Sequence, residues 1–311
     1  MMFSDFETLG IVKYDFLLSN VTSMKTGGAA KYAFFPENKF QLRDVIIFLK
    51  SKNIKYCLVG NASNVLFMDS GYDGAVVFTG KMKAYYVLPE DCGVENYPCN
   101  DGVLHIYAEA GVSLTSFAYK MLKDGYAGLE FAYGIPATVG GAIYMNAGAY
   151  GSEISNVLEA VEYLDADGEF KIYRNGKGKC GFSYRHSPFT GCRDKIIVGG
   201  VFALSTDSDG EAMRIAEKNM ASRREKQPLE YPSCGSAFKR PEGHYAGALI
   251  EGAGLKGKGI GGAYVSEKHA GFIVNKGSAT TSDVLAILEY VKETVSEKYG
   301  VELESEIVVI E

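Results

Sequence analysis

A chain of 311 residues is about twice the length of a typical domain. With 47% hydrophobic and 23% charged residues it has the apolar content for a real core and none of the bias that marks disorder, collagen or a disulfide scaffold. A net charge of −6 argues against a dedicated nucleic-acid binder, which needs a basic face to displace counterions, and leaves anionic small molecules to local basic clusters. Cys57, Cys92, Cys99, Cys180, Cys192 and Cys234 fall in no metal-ligand spacing, and no secretory stretch precedes them, so reduced thiols in the cytoplasm are expected. No apolar run approaches the roughly 20 residues needed to cross a bilayer.

In chain order, residues 31–35 read as a strand closed by Pro36, and 39–52 as a helix with Leu42, Val45, Ile46 and Leu49 on one face. A β-rich run at 54–59 ends in Gly60-Asn61-Ala62-Ser63-Asn64, and another strand is expected at 75–79. Residues 103–109 form the next strand, and Ser113 caps a helix carrying Leu114, Phe117, Ala118, Met121 and Leu122 that stops at Gly125. A glycine-dense stretch at 134–151 follows. Strands at 158–164 and 170–173 meet through Asp167-Gly168, a hairpin signal. A strand at 196–204 and a charged segment at 205–209 close this half, where the domain boundary is expected. Beyond it come a helix at 211–225, a helix-like 245–250, a glycine-rich 252–262, a strand at 271–275, a helix at 282–299 ended by Gly300, and a strand at 307–310. The mixture predicts an α+β protein, without internal repeats.

Of 37 glycines, those that cluster carry the chemistry. Gly252-Ala253-Gly254-Leu255-Lys256-Gly257 fits the dinucleotide fingerprint in letters only, because the fingerprint needs a strand before it and a helix after it. Asp165-Ala166-Asp167-Gly168 lacks the later ligands of a calcium loop. Residues 60–66 are a small polar turn whose free N–H groups could form an anion nest, or a plain connector. Residues 134–142 are too apolar for a solvated loop and too glycine-rich for a helix or strand, which suggests backbone lying against a flat ligand, with a buried structural crossing as the alternative. Tyr184-Arg185-His186 and the run from Ser233 to Arg240 combine polar catalytic types with cations. Cys234 reads as a small buried residue, His105 as a core or sheet-face residue, and His105, His186, His244 and His269 show no metal spacing, so no metal is expected.

Taken together, Thr26-Gly27-Gly28-Ala29, residues 60–66, residues 134–142 with Asn146-Ala147-Gly148-Ala149-Tyr150-Gly151, Tyr184-Arg185, Gly235-Ser236 with Phe238-Lys239, Lys268-His269-Ala270-Gly271-Phe272 and residues 303–307 resemble the UDP-N-acetylenolpyruvoylglucosamine reductase family over nearly the whole chain. The resemblance implies a vanillyl-alcohol-oxidase-type (PCMH-type) FAD-binding domain at 15–208, made of α+β subdomains at about 15–80 and 81–208. It also implies a smaller α/β substrate domain at 209–300 and a C-terminal strand at 301–311. It implies non-covalent FAD held by Gly60, Asn61, Ala62, Ser63, Asn64 and Val65 at the pyrophosphate and by Gly134, Ile135, Pro136, Thr138, Gly140, Gly141 and Ala142 along the flavin. NADPH would be the hydride donor. Arg185, Ser236 and Glu306 match the catalytic positions, and Tyr184, Lys239 and Arg240 are expected at a sugar-nucleotide substrate. Val308 stands where the family commonly has arginine, a lost cation that Lys239 or Arg240 would have to replace, and the short spacing from Arg185 to Ser236 is that of the subgroup without an inserted tyrosine loop. The function implied is reduction of UDP-N-acetylglucosamine enolpyruvate for peptidoglycan precursors, with no nucleic acid, membrane or obligate protein partner. An oxygen-using flavin oxidase and a non-catalytic flavin or nucleotide binder are the competing readings.

Overall fold

The computed structural model describes residues 9, 11–89, 103–176 and 181–311; Cys92, Cys99 and Cys180 lie outside the described residues. The elements of the first half are β1 (Ile11–Leu17), β2 (Ala29–Phe35), α1 (Lys39–Ser51), β3 (Tyr56–Val59), β4 (Val65–Phe67), β5 (Tyr72–Phe78), β6 (Tyr85–Val87), β7 (Val103–Glu109), α2 (Leu114–Lys123), β8 (Tyr126–Ala127) and α3 (Val139–Tyr144). There follow β9 (Gly148–Ala149), β10 (Ser152–Glu153), β11 (Leu158–Leu164), β12 (Phe170–Arg174), β13 (Ile196–Thr206), α4 (Glu211–Lys226), β14 (Ser233–Ser236), α5 (Ala246–Gly252), β15 (Gly259–Ile260), β16 (Ala263–Val265), β17 (Phe272–Asn275), α6 (Thr281–Tyr299) and β18 (Val308–Ile310). The protein is α+β. Its described residues fall into two compact units, one drawn from 1–12, 34–61 and 77–221, the other from 13–33, 62–76 and 222–311. The chain passes from one to the other within β1, β2 and β5, which pair with β3 in the order β1-β2-β5-β3.

The first unit is built on a sheet of order β12-β11-β13-β7-β6, with β8 beside β13. The hairpin of β11 and β12 runs from Ala160 opposite Arg174 to Leu164 opposite Phe170, and Asp165 Oδ1 accepts the N–H groups of Asp167 and Glu169 inside its turn. Alternation along the strands sends Ile106, Phe202 and Leu204 into a core shared with Phe117 and Met121 of α2 and with Val139 and Ile143 of α3. Asn38 caps α1 by accepting the N–H groups of Phe40 and Gln41, and Leu42, Val45, Ile46 and Leu49 form its buried face. Ser113 caps α2 by accepting the N–H of Ser116.

Residues 139–144 correct the expectation that this stretch is too glycine-rich for a helix. Thr138 caps α3 by accepting the N–H of Gly141, while Val112 and Ala110 accept those of Val139 and Gly140. Tertiary hydrogen bonds here override the poor helix propensity of two glycines, which costs roughly 1 kcal/mol each. A second correction concerns residues 65 and 66, assigned to a loop: they begin β4, which pairs in parallel with the C-terminal β18, Val65 opposite Val308.

The second unit carries the sheet β14-β17-β16-β15, packed with α5 and α6 around Ile250, Val265, Ile273, Val284, Ile287 and Val291. The long helix α6 starts at a capping box, Thr280 with Asp283, and stops at Gly300 in the left-handed region. Its stripe of Val284, Ile287, Leu288, Val291 and Val295 is buried, each side chain contributing roughly 1.5–3 kcal/mol relative to exposure.

Candidate functional site

Within the loop at 60–64, Ala62 is almost fully buried yet holds φ at +46°, a conformation an L-residue adopts at a cost of roughly 1–2 kcal/mol. The Ala62 carbonyl accepts the N–H of Ser23 at 3.1 Å and that of Asn64 accepts the N–H of Val308 at 3.0 Å, while the Asn61 side chain donates to the Pro136 carbonyl at 2.9 Å. Among the described residues, the main-chain N–H groups of Asn61, Ala62, Ser63 and Asn64 donate to no protein acceptor. Buried N–H groups are nearly always paired, and successive free ones around a left-handed residue form a concavity for anions.

The stretch at 134–142 behaves differently. Ile135, Ala137, Val139, Gly140 and Ala142 donate to backbone carbonyls at 2.8–3.0 Å, Gly141 to the Thr138 hydroxyl at 3.3 Å, and Gly134 to the Thr115 hydroxyl. The N–H groups of Val139, Gly140 and Gly141, the first three of α3, are therefore all taken up by protein acceptors. Close packing accounts for two of the glycines nearby: a Cβ on Gly140 would stand 2.8 Å from the Ala110 Cβ, and one on Gly60 would stand 2.1 Å from the Thr138 hydroxyl oxygen. Gly141 is the exception, since its φ is ordinary and a Cβ would meet only the Thr138 hydroxyl, at 3.5 Å.

The Tyr184-Arg185 turn belongs to the same unit. Ser183 and His186 exchange main-chain hydrogen bonds at 3.1 and 3.0 Å, Arg185 sits between them at φ +55°, and its guanidinium lies 4.9 Å from the Tyr184 ring centroid. Asn146, fully buried, donates to the Ser183 carbonyl at 2.9 Å and accepts the N–H of Ser155 at 3.0 Å. The Ser187 and Thr190 hydroxyls both donate to the Tyr144 carbonyl at 2.8 Å, so the C-terminal end of α3 anchors the turn. Asn146 is an anchor that sequence reasoning missed; its signal is an asparagine in a glycine-rich stretch, a residue type that tolerates the positive φ found here, +43°.

Ser236 and Glu306 both lie in the second unit. Ser236 ends β14 opposite Phe272, the N–H of Ala237 is accepted by Gly271 at 2.8 Å, and the Ala237 carbonyl accepts the N–H of Glu306 at 2.9 Å. A bridge between Phe238 and Ser305 and a bond from Lys239 N–H to the Glu304 carbonyl extend this pairing. Ser236 and Glu306 thus stand on adjacent segments held by main-chain bonds, each half-buried. His269 Nδ1 accepts the N–H of Gly271 at 3.1 Å, and burial holds the His269 imidazole below its ordinary pKa. Lys239 pairs with Glu304 and Arg240 lies 4.8 Å from the Tyr245 ring centroid, so of the two cations named to replace the missing one at Val308, Lys239 already holds a carboxylate. Cys234 is buried, its thiol pushed up to about 12 by desolvation and bonded to the Val65 carbonyl, which fits its reading as a structural residue. Residues 252–257 begin at the last residue of α5 and lead to the two-residue β15, so the dinucleotide fingerprint has no helix after it here.

A cavity of about 360 Å³ opens in the first unit beside Val103, His105, Glu159 and Ser205, with His105 Nε2 3.0 Å from Glu159 Oε2. None of the residues expected at the cofactor, substrate or catalytic positions lines it, although His105, read as a core or sheet-face residue, does. His105, Ala203 and Ser205 alternate with Leu104, Phe202 and Leu204, which places the cavity on the sheet face opposite the core that contains α3.

Two features fit a phosphate-bearing flavin cofactor: the run of N–H groups at 61–64 without protein acceptors, and Gly141, a helical glycine that neither φ nor packing requires. The FAD binding domain model matches residues 30–172, and the model of the UDP-N-acetylenolpyruvoylglucosamine reductase C-terminal domain matches residues 227–310. A UDP-N-acetylenolpyruvoylglucosamine reductase from Caldicellulosiruptor saccharolyticus is 45% identical over 293 residues, covering 93% of this chain and 89% of its own length. One from Clostridium novyi is 41% identical over 299 residues, covering 96% and 92%. The crystal structure of the Thermus caldophilus UDP-N-acetylenolpyruvylglucosamine reductase superposes with a TM-score of 0.78 at 31% identity, covering 97% of this chain and 98% of that one.

Proposed function

The chain belongs to the UDP-N-acetylenolpyruvoylglucosamine reductase family, and on that premise we propose that it reduces UDP-N-acetylglucosamine enolpyruvate to UDP-N-acetylmuramate at the expense of NADPH. It is a flavin-dependent oxidoreductase with FAD as its cofactor, acting in peptidoglycan precursor synthesis. Residues 15–208 hold FAD, 209–300 the sugar nucleotide, and 301–311 bring Glu306. Among the described residues, no helix is long and apolar enough to cross a membrane, in keeping with a cytoplasmic enzyme that meets a nucleotide-linked substrate.

Asn61, Ala62, Ser63 and Asn64 hold the FAD pyrophosphate through main-chain N–H groups, with Gly60 and Val65 shaping the ends of the loop. Along 134–142 the contact is different in kind: Gly134, Ile135, Pro136, Thr138, Gly140 and Ala142 form a rigid wall, and Gly141 is the open point on it. The chemistry that bound FAD supplies is hydride transfer, taken from NADPH and delivered to the methylene carbon of the enolpyruvyl ether. Arg185 offsets the negative charge that then spreads into the substrate carboxylate, and its strained φ, held by the turn that Asn146 anchors, keeps the guanidinium preorganised. Ser236 gives its hydroxyl proton to the adjacent carbon, for which a weak acid suffices because the carbanion-like species is strongly basic. Glu306 orients the substrate carboxylate and shares a proton with it. Tyr184, Lys239 and Arg240 contact the sugar nucleotide.

The observation that favours this reading is the main-chain pairing that bonds Glu306 to Ala237, the residue that follows Ser236, and so brings the segments carrying the two residues together. An anaerobic absorbance trace tests it. NADPH should bleach the flavin, and UDP-N-acetylglucosamine enolpyruvate should restore the oxidised band. Recovery only on admitting air would favour an oxidase instead. Ser236→Ala should slow the second phase by about 10²- to 10⁴-fold and leave the first within a few-fold; equal slowing of both would remove Ser236 as proton donor.

A further inference from the structure

The end of the cofactor loop and the segment that carries Glu306 meet in the short parallel pair of β4 and β18. In a parallel ladder a residue whose carbonyl accepts from position j+1 of the neighbouring strand donates its own N–H to the carbonyl of position j−1. The Asn64 carbonyl accepts the N–H of Val308 at 3.0 Å, so the regular pattern would send the Asn64 main-chain N–H to the Glu306 carbonyl. That bond is made instead by the Asn64 side chain, whose Nδ2 donates to the Glu306 carbonyl at 3.0 Å. The substitution has two consequences. The Asn64 main-chain N–H is left as the last of the four, 61–64, that no group among the described residues accepts. Glu306 meanwhile has both main-chain polar groups pinned, its N–H by Ala237 at 2.9 Å and its carbonyl by Asn64.

We propose that Asn64 is a positioning residue for Glu306: its side chain completes the ladder that fixes the Glu306 main chain alongside the segment carrying Ser236, and in doing so releases its own main-chain N–H for the anion bound by the 61–64 loop. The residue type follows from the geometry. A donor on a two-atom stem is required, and aspartate, though isosteric, would set an oxygen against the Glu306 carbonyl. The inference rests on the role given above to Glu306.

The test uses the FAD-loaded full chain and Asn64→Asp, with the two half-reactions followed separately in anaerobic stopped flow. Because a displacement of about 1 Å can cost about 100-fold, reoxidation by UDP-N-acetylglucosamine enolpyruvate at saturating FAD should slow about 10- to 100-fold and more than reduction by NADPH does, and FAD should bind more weakly because the freed main-chain N–H is lost to its anion. In a Glu306→Gln background the same change should add less than about threefold, since residues acting through one interaction are not additive. A variant that slows both half-reactions alike at saturating FAD, binds FAD as tightly as wild type, or multiplies in full with Glu306→Gln would overturn the proposal; a role in stability alone would lower the melting temperature without splitting the half-reactions. Should Asn64→Asp fail to fold, Asn64→Ser, whose hydroxyl falls short of the Glu306 carbonyl, carries the same expectations. Wild-type reoxidation in Glu306→Gln would remove the role of Glu306 itself, whereas a slow Glu306→Gln with a silent Asn64→Asp would remove only the positioning role.

Discussion

Residues 60–64 and 134–142 share one compositional signal, small residues and glycine in an apolar neighbourhood, and they touch, Gly60 against Thr138 and Asn61 against the Pro136 carbonyl. Their hydrogen bonding is opposite. Among the described residues the loop keeps four consecutive N–H groups away from protein acceptors, whereas the second stretch bonds nearly all of its own. Glycine content alone therefore does not separate backbone that waits for a ligand from backbone packed on backbone; accounting for each N–H does.

Substitutions on the packed side should show the largest effects. Gly140→Ala would push a Cβ to 2.8 Å from the Ala110 Cβ and 3.1 Å from its carbonyl oxygen, and overpacking of this kind costs roughly 1–3 kcal/mol. Urea unfolding should show that loss equally with and without FAD. A loss that grew on adding FAD would mean that Gly140 serves the cofactor and not the crossing. Thr138→Ala removes the cap that accepts the Gly141 N–H and should cost about 1 kcal/mol, again without regard to cofactor.

Gly141 sharpens the contrast because it breaks the rule of its own segment. Alanine there meets nothing closer than 3.5 Å and improves helix propensity, so apo stability should rise by roughly 0.4–1 kcal/mol. The added methyl would occupy the space assigned to the flavin, and FAD should bind about tenfold more weakly. Fluorescence titration with FAD alongside apo-protein melts checks both. An apo gain with unchanged FAD affinity would leave this glycine without a ligand.

Much of this was legible in local pattern. The stripe on α6 and its stop at Gly300, and the β11–β12 hairpin with its Asp-Gly turn, follow from spacing and caps, while the helix begins at Thr281, one residue before the expected 282. The helix at 139–144 was not, because its N-terminal donors are satisfied by Ala110 and Val112, whose approach no local rule anticipates. Nor was β4: three residues that pair with a strand 243 positions away (308 − 65) leave no periodicity of their own. Arg185, Ser236 and Glu306 stood out through the resemblance. Asn64 as a clamp and Asn146 as an anchor did not, since an asparagine that bonds a distant main-chain carbonyl looks in sequence like any other polar loop residue.

Charge gives the smallest effect and separates the two regions by pH. Beyond β4, Asp69 accepts the N–H groups of Thr281 and Ser282 and the Ser282 hydroxyl at 2.7–2.9 Å, a carboxylate at the start of α6. Burial works against its charge, but these hydrogen bonds outweigh it and hold the carboxyl below its ordinary 3.8. A carboxyl depressed on folding contributes stability in full above its unfolded pKa and loses it as pH falls through the folded one. Because Asp69 is largely exposed, solvent screening keeps the contribution to about 0.3–1 kcal/mol. Asp69→Asn should therefore melt below wild type at pH 6–7, with the gap closing below about pH 4. Gly140→Ala should keep its gap across the same range, since no titrating group enters that contact. A gap for Asp69→Asn that did not narrow at all as the pH fell from 7 through the acid range would mean that the end of β4 is held by neutral hydrogen bonds and not by the ionised carboxylate.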